Sequence, residues 1–101
     1  MANKWWIPTL HKAAHEGNIE IVKFLVSEGA DVNIKSPNGS TPLHQAAASE
    51  NTADVAKRVE IAKFLIFQGA EVNVKNDKGE TPLGVANTEE MRAILRAAGG
   101  R

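Results

Sequence analysis

The chain has 101 residues, no cysteine, and 12 basic against 12 acidic side chains, for a formal net charge of zero. That length holds one domain with a modest core, the balanced charge offers no basic stripe for nucleic acid, and the missing thiols exclude a disulfide framework and a cysteine-based zinc site. No apolar run approaches the ~20 residues of a membrane span, and Lys4, Pro8 and His11 interrupt any signal-peptide core, so a cytoplasmic protein with no membrane partner is expected.

The first feature along the chain is Trp5-Trp6-Ile7, followed by Pro8-Thr9-Leu10-His11. A helix is expected over 9–15. Gly17-Asn18 ends it and caps a second helix over 19–27, whose Ile21, Val22, Phe24, Leu25 and Val26 cover most of its circumference. Such a helix is sandwiched between neighbours. Gly29 stops it in the left-handed conformation open to glycine. An extended piece over Val32 to Ile34 leads into a turn at Pro37-Asn38-Gly39. Thr41 is an N-cap, Pro42 fits the first helical position, and Leu43, Ala46 and Ala47 make an apolar face on a helix over 42–49. A longer helix is expected over 53–67, stopped by Gly69. Val72 to Val74 and the turn at Asp77-Lys78-Gly79 repeat the earlier pieces. Two last helices are expected at 82–86 and 89–97, the latter capped by Thr88 with Glu89 and Glu90 at the positive end of its dipole.

The elements repeat because the sequence does. Ile19-Glu20-Ile21-Val22-Lys23-Phe24-Leu25 returns as Val59-Glu60-Ile61-Ala62-Lys63-Phe64-Leu65, and Thr41-Pro42-Leu43-His44 is echoed by Thr81-Pro82-Leu83-Gly84. Leu10 and Leu43 are 33 residues apart, and Leu43 and Leu83 are 40 apart. Seven residues are therefore added between the two helices of the middle unit, within Ser49 to Arg58. Units of this kind cannot bury an apolar face alone and must lean on a neighbour. The insert reads as a surface elongation carrying Glu50, Asp54, Lys57 and Arg58, since loop growth costs little; the alternative is a second contact site.

Thr-Pro-Leu-His-x-Ala at 41–46, Gly-Ala-Asp-Val-Asn at 29–33, Gly-Ala-Glu-Val-Asn at 69–73 and Gly-x-Thr-Pro-Leu at 39–43 and 79–83 closely resemble the ankyrin repeat family, over essentially the whole chain. The resemblance implies an all-α solenoid of stacked helix-turn-helix units with β-hairpin-like turns. It divides the single domain, 1–101, into a repeat at about 3–35, a second at about 36–75 with the insert within 49–58, and a C-terminal capping repeat at about 76–99. Arg92 and Arg96 give that cap a polar outer face. The resemblance also implies a non-catalytic role in binding another protein through turn tips and first helices. The positions it picks out are Lys12, Lys35, Pro37, Asn38, Ser40, Gln45, Ala48, Ser49, Lys75, Asp77, Lys78 and Glu80.

The 33-residue shift lays Trp5, Trp6 and Ile7 over Asn38, Gly39 and Ser40, so an apolar triplet stands where a polar turn is expected. One reading makes it a binding hot spot, since tryptophan often dominates interface energy. The other folds it over the first helix pair to shield an open end of the core. The triplet also suits a natural scaffold redesigned to bind a chosen target, or self-association as a weak homodimer in place of a monomer. His11 and His15 share a helix face, but zinc wants three or four ligands with support behind them. His11 and His44 occupy matching positions that make structural hydrogen bonds in the family. No metal, cofactor or catalytic group is expected: the chain has no phosphate loop, nucleophile motif or convincing carboxylate pair.

Overall fold

The computed structural model describes residues 6–48 and 55–100, and side chains from Leu10 onward. Six helices follow one another: α1 Trp6–Glu16, α2 Ile19–Ser27, α3 Pro42–Ala48, α4 Val55–Phe67, α5 Pro82–Val85 and α6 Glu89–Ala97. They form three pairs, α1 with α2, α3 with α4 and α5 with α6. First helices stack on first helices and second on second, giving two layers. No strand occurs among the described residues.

Local chemistry sets the boundaries. Gly17 turns the chain at φ 81°, and the Asn18 side chain accepts from the Ile21 N–H at 3.3 Å, satisfying a free donor of the first turn of α2. Thr88 does the same for Met91 at 3.2 Å in α6, and Thr81 for Gly84 at 3.2 Å in α5. Gly29 and Gly69 stop α2 and α4 at φ 97° and 98°. The amides that follow them, Ala30 and Ala70, turn back onto Leu25 and Leu65 at 3.0 and 2.9 Å, as a left-handed helix stop requires.

Leu10, Leu25, Leu43, Ile61, Leu65 and Leu95 are the largest apolar side chains at the centre, each at most 1 % exposed. Burying one such side chain is worth roughly 1.5–3 kcal/mol. Between them lie Ala13, Ala14, Ala46 and Ala47. Their small size lets successive first helices approach closely.

Three expectations change. Helix α1 starts at Trp6, not near residue 9, so Trp6 and Ile7 belong to a helix rather than to a turn. Pro8 permits this because it falls in the first turn, where backbone donors have no intrahelical acceptor. The pieces at 32–34 and 72–74 are turns, not extended chain: the Asp31 carbonyl accepts from the Ile34 N–H at 3.1 Å and its carboxylate from the Asn33 N–H at 2.9 Å. Within the insert, Arg58 is only 2 % exposed and Val55 packs against the core. These residues open α4, which runs 13 residues against 9 in α2 and α6. The C-terminal part of the insert is therefore helix and partly interior. Ser49 to Asp54 lie outside the described residues.

Candidate protein-binding edge

The hairpins at 35–40 and 75–80 are built alike. The Ser36 N–H donates to the Ser40 carbonyl at 2.8 Å, and the Asn76 N–H to the Glu80 carbonyl at 2.9 Å. Gly39 and Gly79 take φ 80° and 76° at the tips, and their amides close onto Ser36 and Asn76 at 2.9 Å.

Each hairpin is held by a histidine on the first helix of the preceding pair. His11 Nε2 donates to the Ser40 carbonyl at 2.8 Å, and His44 Nε2 to the Glu80 carbonyl at 2.8 Å. His44 Nδ1 accepts from the Thr41 N–H at 3.1 Å, so the proton of the neutral ring sits on Nε2. Burial lowers the His44 pKa below its ordinary value, outweighing the raising influence of the Glu80 carbonyl and carboxylate. A neutral imidazole is what this geometry uses, because a proton on Nδ1 would displace the Thr41 amide.

Hairpins are also tied to one another. The Asp77 N–H donates to the Asn38 carbonyl at 2.9 Å. Lower down, Asn33 Oδ1 accepts from the Glu71 N–H at 2.8 Å, and Asn73 Nδ2 donates to the Gly99 carbonyl at 3.1 Å. These asparagine bridges join residues of different units and are not legible in the sequence as contacts. The sequence shows only that Asn33 and Asn73 end the two copies of the same pentapeptide.

Lys35, Pro37, Asn38, Lys75, Asp77 and Lys78 are exposed along this edge, and Lys12 is exposed on α1. Gln45, Ala48 and Glu80 are half-buried. Ser40 is 5 % exposed, because its carbonyl closes the hairpin base and carries His11; it is a support rather than a contact residue. Trp5 and Ser49 lie outside the described residues, while the backbone of Trp6 and Ile7 forms the first turn of α1. With two of its members in a helix, the triplet does not stand in a polar turn. His15 is exposed on α1, whereas His11 is buried onto Ser40, so these two rings do not converge.

A family model described as ankyrin repeats, in three copies, matches residues 6–76. Among the curated relatives, "Protein phosphatase 1 regulatory subunit 27" of Mus musculus is 43 % identical over 51 residues, covering 50 % of this chain and 32 % of the relative. "Protein phosphatase 1 regulatory subunit 12A" of Mus musculus is 55 % identical over 38 residues, 38 % of this chain and 4 % of that protein. "RelA-associated inhibitor" of Mus musculus is 45 % identical over 51 residues, 50 % of this chain and 6 % of that protein. The chain thus spans a third or less of the length of each of these relatives.

Proposed function

The chain belongs to the ankyrin repeat family, and from that premise we propose that it is a non-catalytic module whose hairpin edge and first helices bind a partner protein. The observation that carries this reading is the bond from the Asp77 N–H to the Asn38 carbonyl, which ties successive hairpins into one continuous edge. A preorganised edge loses little entropy on binding. At the tips Lys35, Lys75 and Lys78 are exposed against one exposed carboxylate, Asp77, while on α1 the exposed Lys12 is matched by the exposed Glu16. That balance suits an acidic patch on the partner, through charge complementarity that chiefly sets on-rate and specificity.

Trp6 and Ile7 sit at the start of α1, itself a first helix, so they stay candidates beside the hairpin edge, which carries the reading. The names of two relatives make protein phosphatase 1 the defined first probe. Capture from cell extract, run beside it, covers other partners. The wild-type chain is compared with a triple variant, Lys35→Ser, Lys75→Ser and Lys78→Ser, whose helical spectrum should be unchanged. The expected result is binding that weakens about tenfold or more in the variant and falls with added salt. Equal binding by both proteins rejects the hairpin edge.

A further inference from the structure

Asn38 is the one asparagine of the chain that is followed by glycine, and it stands exposed at the tip of the first hairpin. Its side chain is folded forward over the next peptide unit. Oδ1 accepts from the Ser40 N–H, two residues on, at 3.2 Å, and the Ser36 hydroxyl donates to the same oxygen. The ring closed by the Ser40 bond encloses the Gly39 nitrogen, and Gly39 has no Cβ to hold the two groups apart. Attack by that nitrogen on Asn38 Cγ would build negative charge on Oδ1, where two donors already point. Donors placed in advance on a developing oxyanion lower the barrier to its formation.

The second hairpin lacks this combination. Asn76 Oδ1 accepts from the Lys78 N–H at 2.9 Å and from the Glu80 N–H at 3.0 Å, so it too folds over the following peptide. The residue that follows is Asp77, not glycine, and Lys78 stands at the position of Asn38.

We propose that Asn38 is a self-modification site, converted by its own Gly39 amide to aspartate or isoaspartate. The Gly39 nitrogen bonds to Asn38 Cγ, the bond from Cγ to Nδ2 breaks, and Nδ2 leaves as ammonia with the Gly39 amide proton. Water then opens the resulting succinimide at one of its two C–N bonds, and the bond that breaks decides the product. The Gly39 N–H is held by the Ser36 carbonyl at 2.9 Å. That bond must open first, so the folded hairpin runs the reaction more slowly than the unfolded chain.

The site is also a joint, because the Asn38 carbonyl takes the Asp77 N–H at 2.9 Å. Isoaspartate reroutes the main chain through Cβ and makes that carbonyl part of a free carboxylate. Both products add a negative charge near Asp77, whose Oδ1 lies 2.9 Å from where a Cβ on Gly39 would stand. Like charges at short range repel. The modification therefore loosens one hairpin from the next, whether or not the edge binds a partner.

The test ages the full chain at physiological temperature and mildly alkaline pH, then maps amide-to-acid mass changes and isoaspartate by position. Asn38 should convert several-fold faster than Asn76, and faster as pH rises, because the attacking amide must lose its proton. Ser36→Ala, with an unchanged helical spectrum, should slow conversion several-fold in the folded chain and leave the rate in concentrated urea alone. In the converted fraction the Asp77 amide should lose protection from hydrogen exchange. Intact Asn38, or conversion no faster than at Asn76, overturns the site. An unchanged or faster rate in folded Ser36→Ala removes the hairpin from the chemistry and overturns its part. Undiminished Asp77 protection in the converted fraction overturns the uncoupling.

Discussion

Among the described residues, the outermost second helices, α2 and α6, carry opposite chemistry on their outer faces. Helix α6 turns Arg92 and Arg96 outward where α2 and α4 carry Val22, Val26, Ala62 and Ile66. Helix α2 turns Ile21 and Phe24 outward where α4 carries the same two residue types, covered. Ile21 and Ile61 share a residue type, a helix position and nearly a local sequence. They differ only in whether a neighbour stands in front of them. In a repeat protein, burial is thus a property of the position in the array as much as of the residue.

The largest expected effect puts numbers on that contrast. Ile61→Ala should destabilise by about 2–5 kcal/mol, the range for a large-to-small change in a filled core. Ile21→Ala should cost clearly less, because part of its surface is already wet. Urea midpoints of the two variants make the comparison, and equal losses would show that the first unit is as well covered as the second.

The hairpins allow a second matched pair. Gly39 and Gly79 have nearly the same positive φ, so alanine is strained at both by roughly 1–2 kcal/mol. A Cβ on Gly39 would also come 2.9 Å from Asp77 Oδ1 and 3.2 Å from the Asp77 amide, whereas one on Gly79 meets nothing within 4 Å. Gly39→Ala should therefore lower stability more than Gly79→Ala and weaken the coupling of the two hairpins. Melting temperatures of both variants decide it.

A smaller effect follows from His44. Its folded pKa is lowered by burial, while the unfolded chain titrates near 6.5. The stabilisation from the neutral ring is fully present above about pH 6.5 and is lost as pH falls through the lowered folded value, because the unfolded state binds the proton first. Denaturation midpoints should drop on going below that pH, and His44→Gln should flatten the slope in this window. An unchanged slope would remove His44 as its source.

The smallest effect belongs to α6. The ion pairs of Glu89 with Arg92 and Arg96, at 3.2 and 3.9 Å, are largely exposed, and such pairs contribute little. Arg92→Ala should shift stability by about 0.5 kcal/mol or less. Arg92→Val should make the C-terminal face resemble the N-terminal one and raise self-association, measured as light-scattering mass. A monomeric Arg92→Val variant would show that the arginine has no such role.

Much of the architecture was legible because it rests on local chemistry that repeats. The helix stops at Gly29 and Gly69, the caps at Asn18, Thr81 and Thr88, and the turn tips at Gly39 and Gly79 each depend on a few adjacent residues. The start of α1 was not legible. Pro8 and the missing threonine cap suggested a boundary near residue 9, yet a proline in the first turn of a helix costs no hydrogen bond. Nor was Arg58, a charged residue in what read as a surface elongation but 2 % exposed. Among candidate contact residues, Lys35, Pro37, Asn38, Lys75, Asp77 and Lys78 stand where tip chemistry put them. Ser40 does not, because its carbonyl closes its own hairpin and takes the His11 side chain of the neighbouring unit.

The sequence by itself determined the period, the helix pairs and the histidine positions, all of which follow from residue spacing and from hydrogen-bonding groups a few residues apart. Only the tertiary structure decided which copy of a repeated residue is covered. It joined Asn38 to Asp77, Asn33 to Glu71, and His11 and His44 each to the next hairpin, and it left Ile21 and Phe24 part-exposed. The physical reason is that burial and cross-unit bonding depend on what stands next in the stack, and a residue's own neighbours along the chain carry no record of that.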